Sequence, residues 1–244
     1  MAFDGYSTLR ATGGNGVLRV VLDNPPVNVL GAVMMRELQD LLAAVRADSE
    51  VRVIVFESAN PEFFLAHVDI QVADRMDILR DLAASAPEET AGLGQVEALM
   101  GITPGGGGTQ YLRERVGRNR ALEIVLTGDL VDARTAASIG WINRAIPAAH
   151  LDTYVSDVAS KIAALPDGVI AAAKKALPPT EFGPGLIVEN DAWAGLVDQP
   201  AAQRIMGTAL TSGAQTPDGE RDLEQLLRGI ADAERSAFSS APRP

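Results

Sequence analysis

Few residues in this sequence are able to carry chemistry. There is no cysteine and only two histidines, His67 and His150. A disulfide framework, a thiolate nucleophile, a thiolate metal site and a multi-histidine metal centre are therefore out of reach. Carboxylates, backbone amides and hydroxyls remain. Among the carboxylates, Glu97 is set among Gly94, Val96, Ala98, Leu99 and Met100. Small and apolar company of this kind predicts partial burial and a raised pKa, although most glutamates are solvated surface groups. Eight residues later come the four successive glycines 105–108. They free a stretch of backbone from side chains, so that its amides can approach a ligand or two elements can pack closely; a tight turn at a helix start is the plainer reading. A GxGxxG spacing after a strand and a terminal Gly-Lys-Ser/Thr are both missing, which disfavours nucleotide binding. His67 sits among Phe, Leu, Ala and Val, where a satisfied structural histidine is the commoner case.

The elements that must position these groups can be read from periodicity. After the turn signal Gly-Gly-Asn-Gly at 13–16, residues 17–22 form an apolar, β-branched run stopped by Asp23-Asn24-Pro25-Pro26, which predicts a strand. Met34, Leu38, Leu41, Leu42 and Val45 recur at helical spacing, predicting an amphipathic helix over 33–47. Residues 51–56 form a second apolar strand, and the order strand, helix, strand implies a parallel crossover. Ligands of parallel α/β sheets gather beyond the carboxyl ends of strands, which directs attention to residues 63–70. A helix is expected over 72–84, another from Tyr111, and glycine-ended helices over 121–127 and 133–139. Residues 141–147 read as a connector. Beyond His150 come alanine-rich helices broken by Pro166, Pro178, Pro179, Pro184, Pro200 and Pro217, with 207–219 as an exposed loop before a last helix over 222–234. The expectation is an α/β core domain over 1–150 and a helical region over 151–244.

At 244 residues with 47% apolar and 22% charged residues, the chain can bury a sizeable core, which excludes a disordered or fibrous protein. Its net charge of −11 repels phosphate backbones and anionic membranes, so nucleic acid and membrane are not expected as partners. With neither a leader pattern nor a spanning apolar stretch, a cytoplasmic location is expected.

The segments in their order resemble the enoyl-CoA hydratase/isomerase (crotonase) family. Asp23-Asn24-Pro25-Pro26-Val27-Asn28-Val29-Leu30 is similar to the family's Asn-x-Pro…Asn-Ala-Leu turn, and residues 63–70 to its Phe-x-x-Gly-Ala-Asp-Ile segment. Gly94-Gln95-Val96-Glu97 followed by Gly101-Ile102-Thr103-Pro104 and the glycines to Thr109-Gln110 closely matches Gly-Gln-Pro-Glu…Gly-x-x-Pro-Gly-Gly-Gly-Gly-Thr-Gln. The resemblance covers roughly residues 15 to 150. It implies a crotonase-like spiral of β-β-α units with a helical C-terminal oligomerisation region. It also implies acyl-CoA thioester chemistry through an enolate whose charge is held by two backbone N–H groups. By position Val68 supplies one of them, and Ala66, Asp69, Ile70 and Gln71 match backbone positions lining the coenzyme A moiety. Glu97 matches one of two acid/base glutamates, and Gly105 an amide that helps hold the reacting water. Asp69 is the rival carboxylate, better placed to hold its own turn. No cofactor, metal or nicotinamide is expected beyond coenzyme A as part of the substrate. Assembly as a homotrimer or hexamer is expected, on apolar Trp193, Leu196, Val197, Ile205, Met206 and Leu210.

Three departures accompany the resemblance. Between Thr90 and Ala91 the family carries a buried strand, a Gly-Gly-Gly turn with the second oxyanion N–H, and a helix bearing the other glutamate; this sequence has none of them. A catalytically impaired homologue that binds acyl-CoA or serves assembly is therefore the alternative to an active hydratase or isomerase. His67 replaces the usual glycine, and the C-terminal tail lacks the usual Ala-Phe-x-x-Lys-Arg ending.

Overall fold

A computed structural model describes Phe3, residues 5–70, the strand Ser85–Pro87 and residues 92–240. The helix expected over 72–84 and the junction of Thr90 with Ala91 lie outside the described residues. The chain forms two compact units, each drawing on both sides of residue 150: Met1–Ile78 with Ile146–Thr180, and Leu79–Ala145 with Glu181–Pro244.

The first unit is built on a three-stranded sheet. Strands β1 (Leu9–Gly14) and β2 (Val17–Leu22) form an antiparallel hairpin, and β2 pairs in parallel with β3 (Val53–Ser58). Asn15 and Gly16 join the hairpin with φ of 52° and 79°, the left-handed pair that a two-residue turn needs to match strand twist. Strand β1 was not visible in the sequence, because Leu-Arg-Ala-Thr-Gly-Gly lacks apolar alternation. In β2, Leu18, Val20 and Leu22 are each 0% exposed while their neighbours are half-buried, and each such side chain stabilises the fold by about 1.5–3 kcal/mol. Helix α1 (Ala32–Ala47) makes the crossover, burying Met34, Met35, Leu38 and Leu41. The second strand begins at Val53, two residues later than the apolar run suggests, since the Arg52 and Val53 N–H groups both donate to the Gly16 carbonyl at the hairpin tip before the ladder starts. The helix Ala148–Ala163 packs against β2 and β3, and Arg19 on β2 pairs with Glu57 and with Asp152 of that helix.

The second unit is helical. A 3₁₀ turn, Val96–Met100, precedes the helices Gly108–Val116 and Arg118–Thr127. Leu112, Val116, Ala121, Ile124 and Val125 form their common core. Gly128, with φ 66°, ends the second helix as expected. The helix Ala133–Ser138 starts at Asp132, which accepts the Thr135 N–H, and the expected connector 141–147 contains the strand Arg144–Ile146.

In the C-terminal part Pro184, Pro200 and Pro217 divide the helical segments as expected, each lying in the first turn of a new helix, Gly183–Val197, Pro200–Thr211 and Pro217–Arg221, where a missing N–H costs no hydrogen bond. One expectation is corrected. Residues 207–219 are not an exposed loop: the helix runs on to Thr211, Ala209 and Ala214 are buried, and Glu220 accepts the Gln215 N–H. The last helix is Leu223–Ser240, longer than expected and packed on Pro200–Thr211. Val197, Ile205 and Met206 are buried within the unit, so these three do not stand free for assembly; Ile187, Val188 and Leu196 are exposed instead. No helix among the described residues is long and apolar enough to cross a membrane.

Candidate functional site

In the first unit, β2 and β3 end side by side at Leu22 and Ser58, and amide side chains tie together the segments that leave them. Asn28 is 2% exposed with φ 54°. Its Oδ1 accepts the Asn24 N–H at 2.7 Å, and its Nδ2 donates to Ser58 Oγ at 2.8 Å and to the Leu22 and Phe64 carbonyls at 3.3 Å. Ser58 Oγ donates to the Phe63 carbonyl at 2.7 Å. Asn60 Oδ1 accepts the Glu62 and Phe63 N–H groups, and its Nδ2 reaches the Pro26 carbonyl at 2.8 Å. A short side-chain amide both caps the turn and tolerates the left-handed backbone, which explains asparagine at 28.

The tied segment carries Ala66 to a bond with the Val27 carbonyl at 3.3 Å. Leu30 and Val68 then form an isolated parallel bridge, in which the Leu30 N–H donates to the His67 carbonyl at 2.9 Å and the Asp69 N–H to the Leu30 carbonyl at 3.2 Å. Successive amides of extended backbone point to opposite sides. Since His67 C=O and Asp69 N–H face Leu30, the Val68 N–H faces away from it. The Val68 carbonyl meets His67 Nδ1 at 2.7 Å, which fixes the ring with its proton on Nδ1. Asp69 Oδ2 lies 3.6 Å from where a Cβ on Gly31 would stand, beside the turn its own amide helps to close. Ile70 is described; Gln71 lies outside the described residues.

In the second unit Glu97 is half-buried on the 3₁₀ turn Val96–Met100, and one of its carboxylate oxygens, Oε2, is shielded from solvent. Gly101 ends the turn with φ 80°, and the Ile102 N–H donates to the Glu97 carbonyl at 3.2 Å. The glycine run has a steric cause at two positions. A Cβ on Gly107, whose φ is 90°, would stand 2.5 Å from the Tyr111 ring, and one on Gly108 would stand 2.4 Å from Gln95 Oε1 and 3.0 Å from Pro104 Cβ. The loop closes through Gly108 N–H to the Gly105 carbonyl at 3.0 Å.

Glu189 holds this loop and was missed in the sequence. It is 4% exposed on the helix Gly183–Val197, accepts the Gly107 N–H at 2.6 Å and the Thr109 N–H at 2.9 Å, and also accepts the Thr109 hydroxyl. A carboxylate at the start of Gly108–Val116 is favoured by the dipole of that helix. The available signal was a single glutamate following Leu186-Ile187-Val188, a charge inside an apolar helical run.

The predicted site residues thus fall into two groups. Ala66, Val68, Asp69 and Ile70 belong to the first unit; Glu97 and Gly105 share one segment of the second. Among the described residues no group of three or more His, Cys, Asp or Glu could hold a metal ion.

Comparison with known proteins gives a consistent result. The profile of the family described as "Enoyl-CoA hydratase/isomerase" matches residues 12–86 and 75–181. A crystal structure from Streptomyces avermitilis, provisionally designated an enoyl-CoA hydratase, is 54% identical with a TM-score of 0.88; the match covers 93% of this chain and 100% of that one. A Rhizobium meliloti protein designated a probable enoyl-CoA hydratase is 29% identical over 206 residues, which include 68% of this chain and 80% of the relative. A carnitinyl-CoA dehydratase from Mycobacterium avium shares the fold at 19% identity, with a TM-score of 0.71 over 80% of this chain and 94% of that one. The fold is therefore crotonase-like, an α/β architecture rich in helices.

Proposed function

Since this chain belongs to the enoyl-CoA hydratase/isomerase family, we propose that it acts on an acyl-CoA thioester by hydrating a 2-enoyl-CoA or shifting its double bond. In this reading the Val68 N–H donates to the thioester oxygen, where charge develops as the enolate forms. Glu97 moves the proton at the acyl carbon, and the Gly105 amide helps hold the reacting water. The backbone from Ala66 through Asp69, Ile70 and Gln71 lines the coenzyme A moiety. The spiral of β-β-α units and assembly into a homotrimer or hexamer belong to the same proposal, as do a cytoplasmic location and independence from any added cofactor.

The observation that carries the reading is the Leu30–Val68 bridge. It spends the His67 carbonyl and the Asp69 N–H on Leu30 and leaves the Val68 amide directed away, as a donor to an outside oxygen requires. The half-buried Glu97 supports it, because a carboxylate with one oxygen shielded from bulk solvent is placed to exchange a proton with a bound thioester. An isomerase needs one well-placed base, so a single glutamate suits the double-bond shift better than hydration. The second reading, an impaired homologue that binds acyl-CoA or serves assembly, is favoured by the comparison itself. The 206 residues aligned with the Rhizobium protein meet only 68% of 244 residues here, about 166, so about 40 of them have no counterpart. Loss of a segment that includes the second oxyanion donor would cost about 10²–10³ in rate.

Turnover of a panel of acyl-CoA thioesters by the protein and its Glu97→Gln variant tests the proposal. The variant keeps size and hydrogen bonding but loses the base, so the turnover number should fall by about 10²–10⁴ with little change in thioester affinity by calorimetry. A fall smaller than about threefold would remove Glu97 from the chemistry. Thioester binding with no turnover by the unaltered protein would establish the second reading.

A further inference from the structure

We infer that Glu189 is a positioning residue for the glycine-rich loop, holding the Gly105 amide in register through Gly107 and Thr109; the inference rests on the proposed role of Gly105 in placing the reacting water.

The loop has little of its own to fix it. Four successive glycines contribute no side-chain packing, and Gly106 and Gly107 both adopt positive φ, 63° and 90°, in a part of backbone space that glycine enters and leaves freely. The single backbone bond within the turn runs from the Gly108 N–H to the Gly105 carbonyl. What fixes the turn from outside is one carboxylate: Oε1 of Glu189 takes the Gly107 N–H, and Oε2 takes both the N–H and the hydroxyl of Thr109. Gly108, which bonds back to Gly105, lies between those two anchors, so the carboxylate and the turn form one connected set of bonds.

The contact is costly unless it has a purpose. A carboxylate 4% exposed has given up hydration, and no cationic side chain among the described residues pairs with it; three donors and the N-terminal end of a helix meet its charge instead. The surrounding helix shows that the approach is close by construction. A Cβ on Gly185, one turn earlier, would stand 2.2 Å from Gln110 Oε1, and one on Gly107 would lie 3.5 Å from Leu186 Cδ2. Tyr111 packs edge-on against Phe182 with ring centroids 4.7 Å apart. The helix Gly183–Val197 thus lies near enough for a glutamate to reach the loop backbone. A glutamine of the same shape keeps one acceptor oxygen and loses the charge, so it can serve one anchor but not both.

The test pairs hydrogen exchange with partition of product. In Glu189→Gln, amides of the peptide 104–110 should exchange at least tenfold faster, while those of 118–127 keep their protection. Thr109→Val, which removes the hydroxyl that donates to Glu189 and accepts from Gln110 Nε2 but leaves the Thr109 N–H bond in place, should give a smaller acceleration in the same peptide and decides the matter if the glutamine variant does not fold. Because the Gly105 amide bears on water and not on the double-bond shift, the ratio of hydration to isomerisation should fall at least tenfold in Glu189→Gln. Unchanged exchange at 104–110, acceleration spread evenly over the unit, or an unchanged ratio would each overturn the inference. Absence of any turnover by the unaltered protein would overturn the enzymatic reading while leaving the exchange result to decide whether Glu189 holds the loop.

Discussion

Replacing Asn28 separates two contributions that the structure assigns to one side chain. Its two short bonds, from the Asn24 N–H at 2.7 Å and to Ser58 Oγ at 2.8 Å, are worth about 1 kcal/mol each net. Alanine at φ 54° adds about 1–2 kcal/mol of left-handed strain that asparagine relieves locally. Asn28→Ala should therefore destabilise the first unit by about 3 kcal/mol, and Asn28→Gly, which loses the bonds but not the backbone freedom, by about 2 kcal/mol. Urea unfolding followed by far-ultraviolet circular dichroism gives the totals. Hydrogen exchange of the peptide 60–70 localises the effect, since Phe64 loses its tie to Asn28 and the amides of Ala66 and Asp69 sit just downstream. Both Trp141 and Trp193 lie in the second unit, so tryptophan fluorescence is the wrong probe. A cost below about 1 kcal/mol for alanine, or glycine as damaging as alanine, would refute the assignment.

Two further outcomes are expected. Glu37 is pushed up by burial, but bonds from the N–H and hydroxyl groups of Ser7 and Thr8 outweigh it and hold its pKa at about 2, against an ordinary 4.5. A depressed carboxyl pKa gives stability that is complete above the unfolded value and fades as pH falls through the folded one. The difference in melting temperature between the protein and Glu37→Gln should therefore be constant above about pH 5 and shrink between about pH 4.5 and 2; a constant difference down to pH 2 would be the contrary result. The second concerns self-association: Ile187 and Val188, 63% and 68% exposed on the helix Gly183–Val197, should be covered in an oligomer. Light scattering at micromolar concentration should give a multiple of 25.6 kDa, and Ile187→Glu together with Val188→Lys should return the monomer.

Local signals in the sequence carried much of the fold. The β2–α1–β3 crossover followed from an apolar run, a helical stripe and a second run, and the parallel pairing of β2 with β3 bears this out. Gly128 marked a helix end because a left-handed cap favours glycine. Pro184, Pro200 and Pro217 marked the divisions between helices, since the same ring that disrupts an interior fits a first turn. What stayed hidden depended on context. Residues 207–219, rich in Gly, Ser and Thr, read as solvent-facing until Leu227 and the last helix supply something to pack against.

The site was legible in an uneven way that follows from its chemistry. In the proposed reading two of its three acting groups are backbone amides, of Val68 and Gly105, and an amide carries no residue type by which to be recognised. What a sequence can record is the absence of side chains around such an amide, as in the glycines at 105–108. What it cannot record is the group that fixes the amide, because that group acts through the fold and not through proximity in the chain. Asn28 reaches Phe64 across 36 residues, and Glu189 reaches Gly107 across 82. An oxyanion or water donor is effective only if it is already aimed when charge develops. Stabilising backbone donors therefore shifts the burden of precision onto distant polar side chains, and these are the positions at which substitution should separate loop order from the identity of the base.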